Sequence, residues 1–277
     1  LELRKLCVQT TVWAGSGHFG GGMSVMDLLT VLYHKYLNIK VDDPKWDDRD
    51  RFILSKGHAA IAYAPVLCDK GFNDVEMLKS FNLSGSKMGM HLDSNKVVGV
   101  DASTGSLGHG LSIGVGTALA ARLQNKDFLT YVVTGDGELG EGSCWEGFMT
   151  MNHYNLSNCI VFIDRNHNMI DGNTEDVMKL EPLADKMTAF GFNTIVVDGN
   201  NIGELCDAID VAIERAKTPQ APTCILMDTK KGAGIKSIEG DYTWHYGAID
   251  DALFEKFNNE LDADYAARVA RAEKEGK

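Results

Sequence analysis

Short, almost wholly apolar runs alternate with helical patterns along this chain, and that alternation constrains its fold more than any other feature. Strands that are apolar on both faces are typical of parallel sheets covered by helices on both sides. The pattern therefore predicts an α/β fold with a doubly wound, mostly parallel sheet. The runs are "RFILS" at 51–55, "FLTYVVT" at 128–134, "CIVFID" at 159–164, "NTIVVDG" at 193–199 and "TCILMDT" at 223–229.

Between these runs, apolar residues recur at the spacing of a helix. Two glycine-rich segments, 15–22 and 232–240, are predicted to be loops. Because no repeat or interdomain linker interrupts the pattern, we expect 1–277 to form a single domain, with 250–277 as a C-terminal helical tail. The predicted helices cover 25–37, 57–70, 108–124, 143–155, 183–190, 202–217 and about 250–275.

The charge and composition exclude several classes of partner. A formal net charge of −12 over 277 residues argues against nucleic acid or an anionic membrane as the main partner. No apolar run approaches the roughly 18 to 20 residues of a membrane span, and no signal peptide is recognisable. The six cysteines form no C-x-x-C pair, so we expect reduced thiols and a cytoplasmic location.

The segment "GDG" at 135–137 lies where a predicted strand ends and a helix follows. Its glycines allow the backbone to turn sharply and approach a ligand, while Asp136 offers a carboxylate. Asn166 ends the next strand, and neighbouring strand ends lie about 5 Å apart. Asp136 and Asn166, with the backbone carbonyl near Asn168, are therefore predicted to hold a hard cation, Mg²⁺ or alternatively Ca²⁺ or Mn²⁺, beside a phosphate.

The pairing of "GDG" with a strand-end asparagine resembles the cofactor signature of the thiamine diphosphate-dependent transketolase family. Further stretches resemble that family in the same order, over nearly the whole chain. They are "SGHFGGGMS" at 16–24, "LSKGHAAIAYAP" at 54–65, "MGMHLD" at 88–93 with "GVDASTGSLGHGLSIGVGTALA" at 99–120, "GDGELGEGSCWEGF" at 135–148, "IDRNHNMIDG" at 163–172 and "KKGAGIKSIEGDYTWHYGAI" at 230–249.

The resemblance implies the thiamine diphosphate-binding fold, in its diphosphate-binding domain, and a role for each matching residue. His18, His91 and His245 are implied to be catalytic and to face the hydroxyl and carbonyl oxygens of the substrate. Asp136, Asn166 and Asn168 are implied to bind the metal. Contacts to thiamine diphosphate are implied for His58, Gly105, Ser106, Leu107, Gly135, Asp136, Gly137, Glu138, Asn166 and His245.

The chain departs from the family pattern directly after the metal-binding asparagine. His167 stands where the family has Gly or Lys, and Asn168 stands where it has an apolar residue. The contact at position 168 is therefore expected to come from the backbone carbonyl, which any residue supplies.

The resemblance also implies the reaction and a missing partner. Family members transfer a two-carbon ketol unit from a ketose to an aldose through a carbanion on thiamine diphosphate. No segment resembles the pyrimidine-binding domain that carries the activating glutamate. We therefore expect that domain on a partner chain, in an α2β2 assembly acting on sugar substrates.

Other functions remain compatible with the residues. The donor is expected to be a ketose phosphate, but a sulfonated or branched ketose fits equally well. A 2-oxo acid dehydrogenase α-type subunit shares the "GDG" and asparagine motif, although it lacks the series of histidine loops. A non-catalytic module that binds thiamine diphosphate or a nucleotide is the third alternative.

Overall fold

Five strands form one sheet in the computed structural model, which describes residues 1–275. Their order across the sheet is β1–β2–β3–β5–β4, and every neighbouring pair is parallel. The strands are β1 Arg51–Leu54, β2 Thr130–Gly135, β3 Cys159–Arg165, β4 Asn193–Asp198 and β5 Thr223–Asp228. Each predicted apolar run overlaps one of these strands, and β2 and β3 each extend one residue beyond their run, so the prediction of a parallel sheet is confirmed.

Helices cover both faces of this sheet. They are α1 Glu2–Ala14, α2 Phe19–Val31, α3 Ala60–Asp69, α4 His109–Leu123, α5 Gly142–His153, α6 Thr174–Val177, α7 Leu183–Ala189, α8 Ile202–Ala216 and α9 Asp251–Glu275. Helix α9 corresponds to the predicted C-terminal tail up to residue 275, and the remainder of that prediction, 276–277, lies outside the described residues.

Alternate strand residues divide the core into two apolar clusters, one on each face. Phe162 of β3 belongs to the cluster that includes residues of α1, α2, α3 and α8. Its neighbours Val161 and Ile163 belong to the cluster that includes residues of α4, α5 and α7. Because successive side chains of a strand point to opposite faces, this division confirms the doubly wound arrangement.

The segment 15–22 differs from the predicted loop, because α2 begins at Phe19 and includes three consecutive glycines. A Cβ added at Gly20 would lie 2.6 Å from the carbonyl oxygen of Trp244, and one at Gly22 would lie 2.8 Å from Cγ2 of Ile61. These glycines therefore permit close packing inside a helix, which the composition alone does not distinguish from a flexible loop.

Within residues 1–275, no helix combines the length and the apolar character that crossing a membrane requires.

Candidate active site

The carboxyl ends of β2 and β3 lie side by side, with Gly135 paired to Asp164 in the parallel register. Asp136 follows directly and is only 1% exposed. Its Oδ1 accepts a hydrogen bond from the Gly137 amide at 2.8 Å, and its Oδ2 accepts one from the His167 amide at 2.7 Å. The strand ends therefore hold this carboxylate in one orientation at the edge of the sheet.

A cavity of about 300 Å³ opens beyond these strand ends. Its wall contains all but one of the predicted site residues, from seven separate segments of the chain. They are His18, His58, His91, Gly105, Leu107, Gly135, Asp136, Gly137, Glu138, Asn166, Asn168 and His245. Ser106, the remaining predicted residue, is exposed and does not line the cavity.

The four predicted histidines form a cluster on one side of this cavity. The ring centroid of His18 lies 5.2 Å from that of His58, 6.4 Å from that of His91 and 5.3 Å from that of His245. The rings of His58 and His245 are also 5.3 Å apart. Four imidazoles from four separate segments therefore cluster around His18 at one wall of the cavity.

Burial keeps these imidazoles neutral. It lowers the pKa of His18 to about 4 and that of His245 to about 3, and the positive charge of Lys231 acts in the same direction on both. Burial also lowers the pKa of His91, and it places the pKa of His58 well below its usual range. At neutral pH each ring accordingly offers one N–H donor and one acceptor nitrogen.

A short backbone bridge brings the segments of His18 and His245 together. Gly17 and Gly247 exchange two backbone hydrogen bonds, of 2.9 and 3.0 Å. Beside them the Tyr246 hydroxyl is 2.7 Å from Oγ of Ser16, and the Tyr246 ring packs edge-on against His18 with centroids 4.9 Å apart. The relative position of the two histidines is therefore fixed by contacts between residues far apart in the sequence.

Two buried lysines, which the sequence did not predict as site residues, also reach the cavity. The Lys56 ammonium forms a buried ion pair with Asp164. The Lys231 ammonium donates to the Met169 carbonyl at 3.0 Å and lies 3.1 Å from Nδ1 of His245. Burial lowers the pKa of Lys231 to about 8. On the cavity wall these two ammonium groups offset the carboxylates of Asp136 and Glu138 and offer an anionic ligand two positive charges.

The only sequence signal for these lysines was their position beside glycine loops, in "SKGH" and "KKGAG". That signal does not separate a lysine that turns inward from one in solvent. The lining residues that sequence reasoning missed are Gly21, Lys56, Met169, Ile170 and Lys231.

Asp164 lies beneath the cavity, fully buried, and connects several of its walls. It accepts hydrogen bonds from Lys56, from Oγ of Ser24 at 2.6 Å, from Thr229 and from Nδ2 of Asn166 at 3.2 Å. Burial disfavours its charged form, but the Lys56 ammonium and these hydrogen bonds lower the pKa of the carboxyl overall. Because Nδ2 of Asn166 points to Asp164, the Oδ1 of Asn166 points away from Asp164.

Arg165 contacts the predicted metal-binding carboxylate of Asp136. The sequence did not indicate this contact. Its Nη1 donates to Oδ2 of Asp136 at 3.0 Å, and its other nitrogens donate to Glu175 at 2.9 Å and Glu181 at 3.0 Å. Burial, followed by the nearby Asp164, raises the pKa of Asp136, whereas Arg165 opposes that rise. The arginine thus fixes Asp136 and attaches the 174–181 segment to the site.

Glu138, predicted to contact the cofactor, has its carboxylate occupied by protein donors. Oε1 accepts from the Ser55 hydroxyl and from the Gly108 amide at 2.8 Å, and Oε2 accepts from the Gly135 amide at 3.0 Å. Its side chain therefore joins the end of β1, the start of α4 and the "GDG" turn.

Such a site, at the carboxyl edge of a doubly wound sheet, defines a domain that binds an anionic cofactor. Over residues 2–271 the chain matches the family described as "Transketolase, thiamine diphosphate binding domain". The chain therefore belongs to the transketolase family, through the domain that binds thiamine diphosphate.

Two of its relatives are named as single subunits of transketolases. The chain is 39% identical over 272 residues to one subunit of the apulose-4-phosphate transketolase of Phocaeicola vulgatus, covering 98% of this chain and 94% of that protein. It is 37% identical over 275 residues to the 6-deoxy-6-sulfo-D-fructose transketolase subunit SqwG of a Clostridium species, covering 99% and 94%.

A solved structure shows the same domain within a longer chain. The transketolase of Campylobacter jejuni superposes with a TM-score of 0.85 at 28% identity, over 94% of this chain and 41% of that one. The chain therefore spans nearly the whole of the subunit-type relatives but less than half of the full-length enzyme.

Proposed function

We propose that this chain is the diphosphate-binding subunit of a two-chain transketolase, which transfers a two-carbon ketol unit from a ketose to an aldose. The observation that carries this proposal is the convergence of four neutral histidines with Asp136 and Asn166 on one cavity. A module that only bound the cofactor would have no use for several imidazoles around the space beside it.

The cavity residues fit a cation and a diphosphate. Asp136 and Asn166 offer a carboxylate and a carboxamide oxygen, and hard divalent cations such as Mg²⁺ prefer oxygen ligands. Lys56 and Lys231 supply positive charge on the same wall. We propose that Asp136, Asn166 and Asn168 hold the cation, and that His58 and the "GDG" turn contact the diphosphate.

Thiamine diphosphate, when bound, would supply a nucleophilic carbon for the ketose carbonyl and a thiazolium ring that takes up the electron pair released as the adjacent C–C bond breaks. The protein must then move protons on the sugars. A neutral imidazole can take hydrogen from a donor hydroxyl and return it to an acceptor carbonyl oxygen. We assign these transfers to His18, His91 and His245.

We also propose a partner chain that carries the pyrimidine-binding domain, in an α2β2 assembly. Subunit names among the relatives and the 41% coverage of a full-length transketolase support this proposal. Two relatives are named for a sugar phosphate and a sulfo-sugar, which supports an anionic ketose as donor. A cytoplasmic location stays a prediction of the sequence.

Reconstitution tests the proposed activity. The purified chain is mixed with a pyrimidine-domain chain, thiamine diphosphate and Mg²⁺, and given a ketose phosphate, a sulfonated ketose, a branched ketose phosphate or pyruvate together with an aldose phosphate. We expect ketol transfer from one of the ketoses, only with both chains and without release of CO₂. Turnover by the chain alone would contradict the two-chain proposal, and CO₂ release from pyruvate would contradict the reaction.

A double substitution separates catalysis from cofactor binding. In the reconstituted pair, His18→Ala with His245→Ala is expected to reduce turnover by at least about a hundredfold, the range typical of lost general acid–base groups. Binding of thiamine diphosphate, followed by calorimetry, should remain measurable because His58, Asp136 and the "GDG" turn are intact, although the contact implied for His245 is lost. His153→Ala, on the exposed end of α5, is the matched control. Normal turnover in the double variant would remove these histidines from the mechanism.

A further inference from the structure

The side-chain oxygen of Asn168 is buried without a partner. Asn168 is 6% exposed and lines the cavity. Its Oδ1 is buried and has no hydrogen-bond partner among residues 1–275. A buried acceptor that lacks a partner costs free energy, so such atoms in folded proteins usually face a ligand, a water molecule or an ion.

The orientation of this carboxamide is fixed by one hydrogen bond. Nδ2 of Asn168 donates to the Asn166 carbonyl at 3.0 Å, which identifies the nitrogen side of the group. Separately, the backbone N–H of Asn168 donates to Oδ1 of Asn166 at 3.2 Å. A flip of the carboxamide would place an oxygen against the Asn166 carbonyl. The unpartnered atom is therefore the oxygen.

The polar groups that line the same cavity point to the kind of partner this oxygen would take. Asp136 and Asn166 bring a carboxylate and a carboxamide oxygen to the same cavity. The Lys231 ammonium on the same wall donates to the Met169 carbonyl and lies against Nδ1 of His245, and it makes no hydrogen bond to Oδ1 of Asn168. A diphosphate also presents acceptors, so it cannot satisfy Oδ1. A set of acceptors that converge on one cavity is the arrangement a hard cation requires.

We propose that the side-chain oxygen of Asn168 is itself a ligand of the divalent cation in this cavity. This inference rests on the proposed function and goes beyond it, because family resemblance implies only a backbone contact at this position. The side-chain oxygen makes cation affinity depend on the identity of residue 168, which a carbonyl ligand would not.

Binding of Mn²⁺ to the full chain, saturated with thiamine diphosphate, tests the inference without requiring turnover. The concentration of free Mn²⁺ is measured by electron paramagnetic resonance. Asn168→Leu, of similar volume but without the oxygen, is expected to weaken Mn²⁺ binding by at least about tenfold. Asn168→Asp retains an oxygen there and should bind Mn²⁺ at least as tightly as the wild-type chain.

Asn173→Leu is the matched control, since Asn173 is exposed on the same loop and pairs with Asn168 across an isolated bridge. It should leave the affinity unchanged. If Asn168→Leu does not fold, Asn168→Ala replaces it, and the midpoint of thermal unfolding without Mn²⁺ shows which variants are folded.

Asp136→Ala distinguishes failure of this inference from failure of the proposed function. If the wild-type chain binds Mn²⁺ no better than Asp136→Ala, the proposed cation site itself is wrong. If Asp136→Ala loses Mn²⁺ but Asn168→Leu binds it as tightly as the wild-type chain, only the ligand role of Asn168 is overturned, and Oδ1 then faces a water molecule or a donor of the cofactor.

Discussion

At the scale of single residues, the charge of the cavity wall decides what its histidines can do. Lys56 and Lys231 keep their ammonium groups next to the imidazoles, so protonation of a ring would bring like charges together. The rings therefore remain neutral, while the two ammonium groups offset the carboxylates of Asp136 and Glu138 on the same wall. Because the Lys231 ammonium lies 3.1 Å from Nδ1 of His245, that neutral ring carries its proton on Nε2, whereas Nδ1 of His18 has no partner among the described residues.

The depressed histidine pKa values predict a loss of stability on acidification. An unfolded chain binds a proton at each histidine below pH about 6.5, whereas folded His18 and His245 resist protonation down to about pH 4 and 3. Between those limits the unfolded state binds more protons, so the free energy of unfolding falls as the pH falls.

Urea unfolding of the chain at steps between pH 7.5 and 4.5 measures this effect. His18→Gln with His245→Gln should give a shallower fall than the wild-type chain. The buried carboxyl groups titrate in both proteins, so the difference isolates the two histidines. Parallel curves would show that the rings are already charged or free in the folded chain.

At the scale of elements, α4 packs unusually close to the sheet because of two of its glycines. A Cβ added at Gly110 would lie 2.5 Å from Cα of Ser55, and one at Gly114 would lie 2.3 Å from Cγ2 of Val132. Ser55 also donates to Glu138, which joins the "GDG" turn to this helix. Close packing of α4 therefore contributes to the position of the cavity wall.

Alanine substitutions along α4 should separate packing from helix propensity. Gly110→Ala is expected to destabilise the chain by about 1–3 kcal/mol, because the backbone of Ser55 must move. Gly116, around which nothing lies within 4 Å, is the control, and Gly116→Ala should stabilise by up to about 1 kcal/mol. Equal effects in chemical denaturation would show that α4 is not closely packed at Gly110.

The elements and most of the cavity wall were predictable because both rest on short-range patterns. The apolar runs around Val132 and Phe162 could only be buried strands, and parallel strand ends necessarily bring Asp136 and Asn166 to one edge. The contacts that long side chains make across the fold were not predictable in this way. Arg165 reaches Asp136 only because the 174–181 segment folds back beside it, which no local pattern specifies.

At the scale of the whole molecule, an aromatic cluster behind the cavity connects the C-terminal helix to the segments that carry His18 and His245. Phe257 of α9 stacks on Phe19 with ring centroids 5.9 Å apart and meets Trp244 at 5.2 Å. Phe19 directly follows His18, and Trp244 directly precedes His245. Helix α9 is therefore an integral part of the domain that supports the two histidines from behind.

Removal of the Phe257 ring tests this connection. Phe257→Ala is expected to lower the free energy of unfolding by about 3–5 kcal/mol, as for other buried aromatic residues. Tyr265→Ala, on the same helix but 48% exposed, should change it by less than about 1 kcal/mol. Chemical denaturation of both variants measures the difference.

Phe257→Ala should also lower the turnover of the reconstituted pair, although Phe257 does not line the cavity. Because Trp244 loses its contact with α9, the His245 segment is less firmly held, and the reconstituted pair should show a lower kcat under conditions where the variant remains fully folded. Tyr265→Ala should retain the wild-type kcat. An unchanged kcat in folded Phe257→Ala would show that the Gly17–Gly247 bridge alone is sufficient to position His245, and that α9 contributes to stability without contributing to catalysis.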